Sequence, residues 1–387
     1  MATLKSYRTS DSSNKITTYV YDDDSSVVAF DFGSKSIPLN VIKSLDYIFI
    51  THEHSDHFMG LYHMLYVETL LNNKCEIYAS NVTKDLIIAI FENSIKVSFD
   101  EKSIKKIREL LHRIKGVLFF EKNKLKKDTY FKIFPSGHTY GSAMFYYFGK
   151  TNKILYTGDI DFSPDDSDRQ YQLDLKENEP VDYVIADGTY LDNEQFKDES
   201  FSRVKDNILN KRFDKFYCKP EKIIFFSKKI ISSPKLKDKY CVVFSSELKW
   251  YLSILRKYNF DPFITDRVLL DSSIYALPEG RKVLHVSSKK LDKQTNVNSI
   301  VGLHISFIDF AYMIQQFDYT KTKILVGHYN EENKKDILST FHSSSYTCDF
   351  DVKVLKEGEL KLWKMVNISF SFLAIHAFNY LLKLTAR

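Results

Sequence analysis

This chain of 387 residues has little cysteine, glycine and proline. Its four cysteines (Cys75, Cys218, Cys241 and Cys348) are widely spaced and form no C-x-x-C pair. That spacing argues against a zinc ribbon and against a disulfide framework, and it favours a reducing compartment. Because there are only 12 glycines and 8 prolines, the sequence predicts few long flexible linkers.

Long apolar runs are also missing, with one exception near the C-terminus. The first ten residues have no apolar centre, so we expect no secretory signal there. Residues 365–382 are largely apolar and have about the minimum length for crossing a bilayer, yet they include Asn367, His376 and Asn379. We expect a terminal helix or strand packed on the domain. A membrane anchor and an aberrant tail are the alternatives.

Aromatic side chains, in contrast, are abundant, with 30 Phe and 25 Tyr. Apolar residues make up 44% of the chain and charged residues 27%, which is typical of a folded protein rather than a disordered one. The length allows two or three domains. Together these features predict well-packed sheets.

The charge balance is mildly basic, with a formal net charge of +5. Such a charge permits an anionic partner without requiring one. Lysine and arginine cluster in residues 102–115, 122–127, 228–239 and 289–293. A solvated helix face or loop explains any single cluster, whereas the clusters together are compatible with a surface that follows a phosphate backbone.

The most informative run is residues 50–60, I-T-H-E-H-S-D-H-F-M-G, which contains His52, His54, Asp56 and His57. The whole chain has only 11 histidines, so three of them within six positions are unlikely to be a chance cluster. Imidazole and carboxylate are the ligands that hold a cation such as Zn²⁺. The preceding stretch is apolar and β-prone, which places these ligands on a loop after a strand. The two histidines of H-x-H can then share one metal ion, while the next Asp and His face a neighbouring position.

Further candidate ligands follow other predicted strands. His138 comes after an alternating strand, and Asp159 ends the buried run 154–159, where a carboxylate can bridge two cations. Asp31 ends a similar strand and is a candidate acceptor that orients a ligand imidazole. Because loops at one edge of a sheet can bring such residues together, we expect a shared metal site.

The order of these residues resembles the metallo-β-lactamase superfamily. More narrowly, the chain resembles the Artemis/Apollo group of DNA cross-link repair nucleases, which carry a β-CASP domain. The supporting runs lie at residues 77–86, 137–145, 155–159 and 186–191. The resemblance covers about residues 16–364 and is more specific in the first half than in the second.

The resemblance implies an α/β (α+β) fold, a four-layer αβ/βα metallo-β-lactamase sandwich with an inserted β-CASP cap domain. Residues 1–188 would form the first part of the sandwich and residues 189–300 the inserted domain. Residues 301–364 would return to the sandwich, ending in a single strand over residues 351–363. Residues 365–387 are an apolar tail of uncertain role.

The same resemblance implies the roles of individual residues. It assigns metal binding to His52, His54, His138 and Asp159 for the first ion, with Asp159 bridging, and to Asp56 and His57 for the second. It gives a catalytic or supporting role to the acids Asp56, Asp31 and Asp187. We expect one or two Zn²⁺ ions, with Mg²⁺ or Mn²⁺ as alternatives at the second position.

The chain departs from the group's pattern in two places. Ile308 occupies the place of the histidine called motif B, and isoleucine can neither ligate a metal nor transfer a proton. His304 and Asp309 lie nearby, but a shift of four residues from Ile308 to His304 would change the face that the group occupies. His328 lies in the region of motif C, where RNA-processing relatives have a histidine, and could complete a metal site.

The resemblance therefore predicts a metal-dependent nuclease that hydrolyses phosphodiester bonds in DNA. It would act as a 5′-exonuclease, a structure-specific endonuclease, or both, in DNA repair in the nucleus. Its partner would be single-stranded DNA or DNA with a 5′ phosphate, and a membrane partner is not expected. The alternatives are an RNA-processing nuclease, a catalytically weak nucleic-acid-binding scaffold, and a small-molecule hydrolase.

Overall fold

The structure is a computed structural model of the chain. It describes residues 2–8, 16–162, 171–176, 179–189, 191, 215–217, 220, 227, 230, 232–236, 239–245, 248–260, 268–270, 282–287, 295–296, 305–329, 334–344 and 349–362. His304 and the apolar tail at residues 365–387 lie outside the described residues.

Strands and helices alternate between residues 27 and 117, and strands follow one another directly on either side of that range. The strands are β1 (Ala2–Arg8), β2 (Ile16–Asp22), β3 (Val27–Phe30), β4 (Tyr47–Ile50), β5 (Glu76–Ser80), β6 (Ile114–Val117), β7 (Asn123–Lys124), β8 (Tyr130–Pro135), β9 (Ala143–Phe148), β10 (Lys153–Tyr156), β11 (Tyr183–Asp187), β12 (Lys215–Tyr217), β13 (Tyr240–Phe244), β14 (Val268–Leu270), β15 (Lys282–Ser287), β16 (Thr295–Asn296), β17 (Lys323–Gly327), β18 (Asp351–Val354) and β19 (Gly358–Leu362). The helices are α1 (Leu39–Ser44), α2 (Ser55–Phe58), α3 (Met64–Asn72), α4 (Asn81–Ile90), α5 (Glu101–His112), α6 (Lys249–Lys257), α7 (Phe307–Ile314) and α8 (Lys334–Ser343). Short 3₁₀ turns lie at Met59–Tyr62 and Lys96–Ser98, and a π-helical turn lies at Phe91–Ile95.

Two seven-stranded sheets form the body of the protein. The first has the strand order β19-β1-β2-β3-β4-β5-β6 and the second β18-β17-β11-β10-β9-β8-β7. The first sheet is parallel from β3 to β6, and the second is parallel from β18 to β10. Parallel strands need crossover connections, and α1, α3, α4 and α5 lie in those of the first sheet.

The two sheets pack face to face through aromatic side chains. Tyr47 and Phe49 of β4 point into this shared core, while Ile48 and Ile50 point to the opposite face, as the two-residue period of a strand requires. The Phe49 ring stacks on Phe145 of the second sheet with centroids 4.9 Å apart and planes 9° apart. The abundant Phe and Tyr residues are thus used mainly between the sheets.

Helices cover the outer face of each sheet. The first sheet packs its outer face on α1, α3, α4 and α5, and the second on α7 and α8. Ser80, Asp100 and Ser306 cap α4, α5 and α7 by accepting a backbone N–H at the third helical position, which satisfies an otherwise orphaned donor. The layers are therefore helix, sheet, sheet and helix, and the expected αβ/βα sandwich is confirmed.

A third sheet comes from the chain between β11 and α7. It has the order β14-β13-β15-β12-β16, and each of its strand pairs is parallel. After this excursion β17 and β18 add to the second sheet, and β19 pairs with β1 in the first. The division of the chain at residues 188, 300 and 364 stays a prediction.

One predicted strand is wrong in its length. Residues 351–363 were expected to form a single strand, but the described part contains two strands, β18 in the second sheet and β19 in the first. Gly358 begins β19 with φ +123°, a backbone conformation that other residues rarely adopt. The chain therefore turns there and crosses from one sheet to the other.

Within the ranges given above, no helix is long and apolar enough to cross a bilayer. The apolar run at residues 365–382 lies beyond them, so its expected packing on the domain stays a prediction.

Replacing Phe49 by alanine should lower the free energy of unfolding by about 3–5 kcal/mol, because a buried aromatic side chain is lost and a cavity remains between the sheets. Denaturant titration followed by tryptophan fluorescence would measure the change. Leu65→Ala is the control, since Leu65 is 56% exposed and should change stability by less than about 0.5 kcal/mol. Equal losses in the two variants would contradict the assignment of Phe49 to the core.

Candidate metal centre

The candidate ligands meet because the strands that carry them end at one rim of the sandwich. In the second sheet β8, β10, β11 and β17 run in the same direction, since β9 lies antiparallel to both β8 and β10. In the first sheet β3 and β4 are parallel. The residues that end or follow these strands are Asp31, His52, His54, Asp56, His57, His138, Asp159, Asp187 and His328. The structure brings them all together.

The loop after β4 turns sharply into α2, and neighbouring glycines make room for it. A Cβ atom added to Gly33 would lie 1.6 Å from the backbone oxygen of Asp56, and one added to Gly60 would lie 2.5 Å from that of Phe32. Only glycine allows such close backbone approach. The His57 N–H donates to the His54 carbonyl, and the Phe32 N–H donates to the His57 carbonyl. The segment before β4 thus holds the ligand loop in place.

The first group of ligands consists of His52, His54, His138 and Asp159. One ligand atom from each lies within 4.8 Å of the others. His138 Nε2 is 3.1 Å from His54 Nδ1, and Asp159 Oδ2 is 3.7 Å from His52 Nε2 and 3.5 Å from His138 Nε2. Nitrogen and oxygen atoms at these separations can surround a single cation.

A second group, Asp56, His57 and His328, lies directly beside the first. His328 Nε2 is 3.3 Å from Asp56 Oδ2, and His57 Nε2 is 3.7 Å from the same oxygen. The two groups are linked by Asp159, whose Oδ1 lies 3.4 Å from His57 Nε2. One carboxylate therefore faces both groups, which is the arrangement expected of a bridging ligand.

His328 also belongs to a third group, together with Asp159 and Asp187. Its Nδ1 lies 2.5 Å from Asp159 Oδ1 and 3.5 Å from Asp187 Oδ1. Asp187 accepts backbone N–H bonds from Thr189 at 2.9 Å and Ile160 at 3.3 Å. It therefore fixes the loops on either side while its carboxylate faces His328.

Asp31 is outside these groups and supports one of their members. Its Oδ2 lies 2.7 Å from His57 Nδ1, and its carboxylate accepts from the Thr51 N–H at 2.7 Å and from the Tyr156 hydroxyl at 2.7 Å. A proton on Nδ1 directs Nε2 of His57 toward Asp56 and Asp159, which is how an outer carboxylate orients a ligand imidazole.

The charges around the site shift the pKa values in opposite directions. Burial and the neighbouring His57 and His54 hold the pKa of His52 well below its ordinary value. Burial also acts to lower the pKa of His57, but Asp159, Asp31 and Asp56 outweigh it and raise that pKa well above the ordinary value. In the metal-free protein His57 is therefore charged at neutral pH and His52 is neutral.

Asp56 remains ionised in this setting. Burial acts to raise the pKa of its carboxyl, but His57 and His328 lower it well below the ordinary range. The Asp56 side chain is also 20% accessible, whereas those of His57 and Asp159 are 0% and 3%. Asp56 is thus a carboxylate that solvent or a substrate can reach.

The residues present fit a metal ion. His52 Nε2 and His57 Nε2 are buried and have no hydrogen-bond partner among the residues that the structure describes. A buried polar atom without a partner is costly, and both atoms face carboxylate oxygens across gaps of 3.4–3.7 Å. A cation in each of these gaps would give each nitrogen atom a partner. The nitrogen-rich first group suits Zn²⁺.

Ile308 and its neighbour Asp309 have different surroundings from those of the ligands. Ile308 lies on α7 with its side chain 51% exposed. Asp309 accepts a hydrogen bond from the Ser306 hydroxyl at 2.6 Å, as part of the cap of α7. Neither belongs to a ligand group in the described part of the chain, whereas His328 belongs to two.

The sequence did not indicate several supporting residues, among them Thr51, Tyr156 and Thr189. Thr51 binds both Asp31 and His52 Nδ1, Tyr156 binds Asp31, and Thr189 donates to the His328 carbonyl at 3.1 Å. Thr51 and Tyr156 lie at or next to strand ends that already carry ligands. Their place in the sequence could therefore have indicated that they lie close to the site. Their hydroxyl contacts depend on the packing of the two sheets.

Known proteins are similar to the part of the chain that carries most of this site. The family model described as "Anti-Pycsar protein Apyc1" matches residues 35–187, the segment from the H-x-H-x-D-H loop to Asp187. An RNase J-like protein of Methanocaldococcus jannaschii is 25% identical over 148 residues, covering 38% of this chain and 32% of that protein. A probable RNase of the same organism is 28% identical over 160 residues, covering 39% and 35%. Protein artemis of Gallus gallus is 31% identical over 146 residues, covering 37% and 20%.

These relatives are β-CASP metallo-β-lactamase nucleases. The two packed sheets with their flanking helices are consistent with a metallo-β-lactamase sandwich fold. The chain spans about a fifth to a third of the length of these curated relatives. The segment matched by the family model, residues 35–187, includes His52, His138 and Asp159.

Metal uptake should depend on the first group. Dialysis against Zn²⁺ followed by elemental analysis is expected to find one or two ions per chain in the wild type and at least one fewer in His54→Ala, because a ligand nitrogen is removed. His63→Ala is the matched control, since His63 lies on the same segment but outside the ligand groups. Equal metal content in His54→Ala and the wild type would contradict the first group.

Metal binding at the second group should release a proton and strengthen as pH rises. His57 must lose a proton to ligate, and its raised pKa keeps that proton bound at neutral pH. We expect release of about one proton near pH 7, measured by calorimetric Zn²⁺ titration in buffers of different protonation enthalpy. His57→Gln should abolish this release. Proton release unchanged in that variant would contradict the charge state assigned to His57.

Proposed function

We propose that this protein is a metal-dependent nuclease that hydrolyses phosphodiester bonds. The observation that carries the proposal is the pair of adjacent ligand groups joined by Asp159 at a rim where Asp56 is accessible. Adjacent cations of this kind can clamp the attacking and leaving oxygens of a phosphoryl group. The matches to RNase-named relatives and to artemis support the same reaction class.

Bound cations would supply the electrophilic part of the chemistry, by polarising a phosphoryl oxygen and lowering the pKa of water. The protein's own side chains would hold the cations and fix their positions. His52, His54 and His138 present nitrogen atoms from two different loops, so their separation is fixed by the packed sheets. Asp31 keeps one tautomer of His57 in place.

Asp56 is the residue best placed to act on water. Its carboxylate is ionised and partly accessible, so it can accept a hydrogen bond from an attacking water and then its proton. His328 lies 3.3 Å away and holds the carboxylate on one side. Asp187 would then have a positioning role, through the backbone N–H groups from which its carboxylate accepts hydrogen bonds.

The lysine clusters give limited support for a nucleic-acid path. On α5 and β6 the cations pair with acids, as in Lys106–Glu68 and Arg108–Glu92, both at 2.6 Å. Lys115 pairs with Glu76 at 2.6 Å. This cluster is therefore a solvated, ion-paired surface. Residues 228–239 are described only in part, and residues 289–293 lie outside the described ranges.

DNA is the first substrate in this proposal, because the resemblance to the Artemis group spans the ligand rim. Action at single-stranded DNA or at 5′-phosphate ends, as exonuclease or structure-specific endonuclease, and a role in DNA repair in the nucleus are parts of it. RNA is the second candidate, favoured by the position of His328 within the ligand groups. Zn²⁺ is the proposed metal, with Mg²⁺ or Mn²⁺ as alternatives at the second group.

Asp56→Asn should lower cleavage by about 10²- to 10⁴-fold, because the variant keeps the size of the side chain but loses its ability to accept a proton. Cleavage of end-labelled DNA by the metal-loaded protein would measure this. Asp128→Asn serves as the control, since Asp128 is an exposed acid outside the ligand groups. Turnover that is unchanged in Asp56→Asn refutes the role given to Asp56.

The substrate class can be resolved with matched DNA and RNA strands, each with and without a 5′ phosphate. We expect DNA cleavage to exceed RNA cleavage, and binding to weaken as salt rises because phosphate contacts release counterions. Faster RNA cleavage would favour the second candidate. Hydrolysis of bis(p-nitrophenyl) phosphate without cleavage of either polymer would contradict the nuclease proposal and indicate a small-molecule phosphodiesterase.

A further inference from the structure

Two buried tyrosines lie beneath the metal centre, one from each sheet. Tyr19 is on β2 and Tyr156 ends β10, and their ring centroids are 5.5 Å apart. Both rings are almost fully buried. Each hydroxyl makes a polar contact with a different part of the second ligand group's surroundings. Packing alone does not explain these two contacts.

Tyr156 acts on the His57 side. Its hydroxyl donates to Asp31 Oδ2 at 2.7 Å, the same oxygen that lies 2.7 Å from His57 Nδ1. Burial and the nearby Asp31 carboxylate raise the pKa of Tyr156 well above its ordinary value, so the hydroxyl keeps its proton. Asp31 itself has φ +57°, an uncommon conformation that its surroundings must maintain.

Tyr19 acts on the His328 side. The His328 backbone N–H donates to the Tyr19 hydroxyl at 3.1 Å, and His328 has φ +50°, again an uncommon conformation for a residue with a side chain. The preceding residue has to be glycine, because a Cβ atom on Gly327 would lie 1.8 Å from the Tyr19 hydroxyl oxygen. The tyrosine and the glycine together set the backbone that presents the His328 ring.

We propose that Tyr19 and Tyr156 are positioning residues that hold His57 and His328 at the separation a second cation needs. The His57 and His328 ring centroids are 5.0 Å apart with planes at 82°. One ring follows a strand of the first sheet and the other a strand of the second. The tyrosine pair spans the same two sheets beneath the ligands. It therefore fixes the position of His57 relative to His328.

The first group has a different support. Thr51 Oγ1 lies 3.0 Å from His52 Nδ1 and also donates to Asp31, so Tyr156 is connected to His52 only through two intervening side chains, whereas it is connected to His57 through Asp31 alone. Loss of a tyrosine hydroxyl should therefore weaken binding of one ion more than of the other. This difference separates positioning from a general loss of stability.

The test uses Tyr19→Phe, Tyr156→Phe and the double variant, with Zn²⁺ affinity measured by chelator competition and the visible spectrum of the Co²⁺-substituted protein. We expect the weaker of two bound ions to lose about 10- to 100-fold in affinity, as is typical when an outer partner of a ligand is removed, and the Co²⁺ bands of that ion to shift. The tighter ion should change by less than the weaker one.

Tyr147→Phe is the matched control, because Tyr147 lies in the same core and its hydroxyl is bonded to Ser26 at 2.6 Å. Its metal-free unfolding temperature should fall as in the other variants, while its Zn²⁺ affinity and Co²⁺ spectrum stay as in the wild type. Wild-type affinity and spectrum in both Tyr19→Phe and Tyr156→Phe, or an equal affinity loss in Tyr147→Phe, would overturn the inference.

The inference rests on the proposed metal-dependent function, and the two fail in distinguishable ways. A wild-type protein that binds neither Zn²⁺ nor Co²⁺ contradicts the metal centre and this inference together. A wild-type protein that binds two ions while the tyrosine variants match the Tyr147→Phe control contradicts the positioning role alone.

Discussion

The contact between the two aromatic sheet faces is the interaction on which the rest of this structure depends. Phe49 stacks on Phe145 at 4.9 Å and lies 4.7 Å from Phe131, so the core is continuous across both sheets. The ligands come from loops of both sheets. A slip of one residue between the sheets would move a ligand by about 3.3 Å, which is more than a coordination bond tolerates. Close packing of rigid aromatic rings therefore fixes the relative positions of the ligands at the rim.

The rim contains several ionisable side chains that are buried from solvent, where a charge is costly. Asp31, Asp159 and Asp187 are almost fully buried there, with His52 and His57 among them. Burying carboxylates is costly unless they are paired and hydrogen-bonded. Asp31 is satisfied by hydroxyl, amide and imidazole donors, and a charged His57 balances part of the rest in the metal-free protein. Resident cations would complete the balance and would then link the stability of the fold to the proposed activity.

Much of the site could be predicted from the sequence, because local signals marked it. The H-x-H-x-D-H run and the polar residues after apolar strands indicated which side chains would meet, and the sheets bring them to one rim as expected. His328 was harder to place, since it lies in the half of the chain where the resemblance is less specific, and only its contacts with Asp56 and Asp159 define its neighbours. The paired cations of α5 look like a phosphate-binding cluster in the sequence, yet their acidic partners lie on other elements.

The amino-acid sequence by itself determined which apolar strands end at candidate ligands and the set of residues able to bind a metal, because periodicity and ligand chemistry are local properties. Only the tertiary structure decided that Asp159 faces two ligand groups, that residues 351–363 divide between two sheets, and that Tyr19 and Tyr156 support ligands from opposite sides. These features depend on contacts between residues more than 100 positions apart, such as the hydrogen bonds Tyr156–Asp31 and Tyr19–His328. No local pattern encodes the distance between two such side chains, since that distance is set by how the sheets pack.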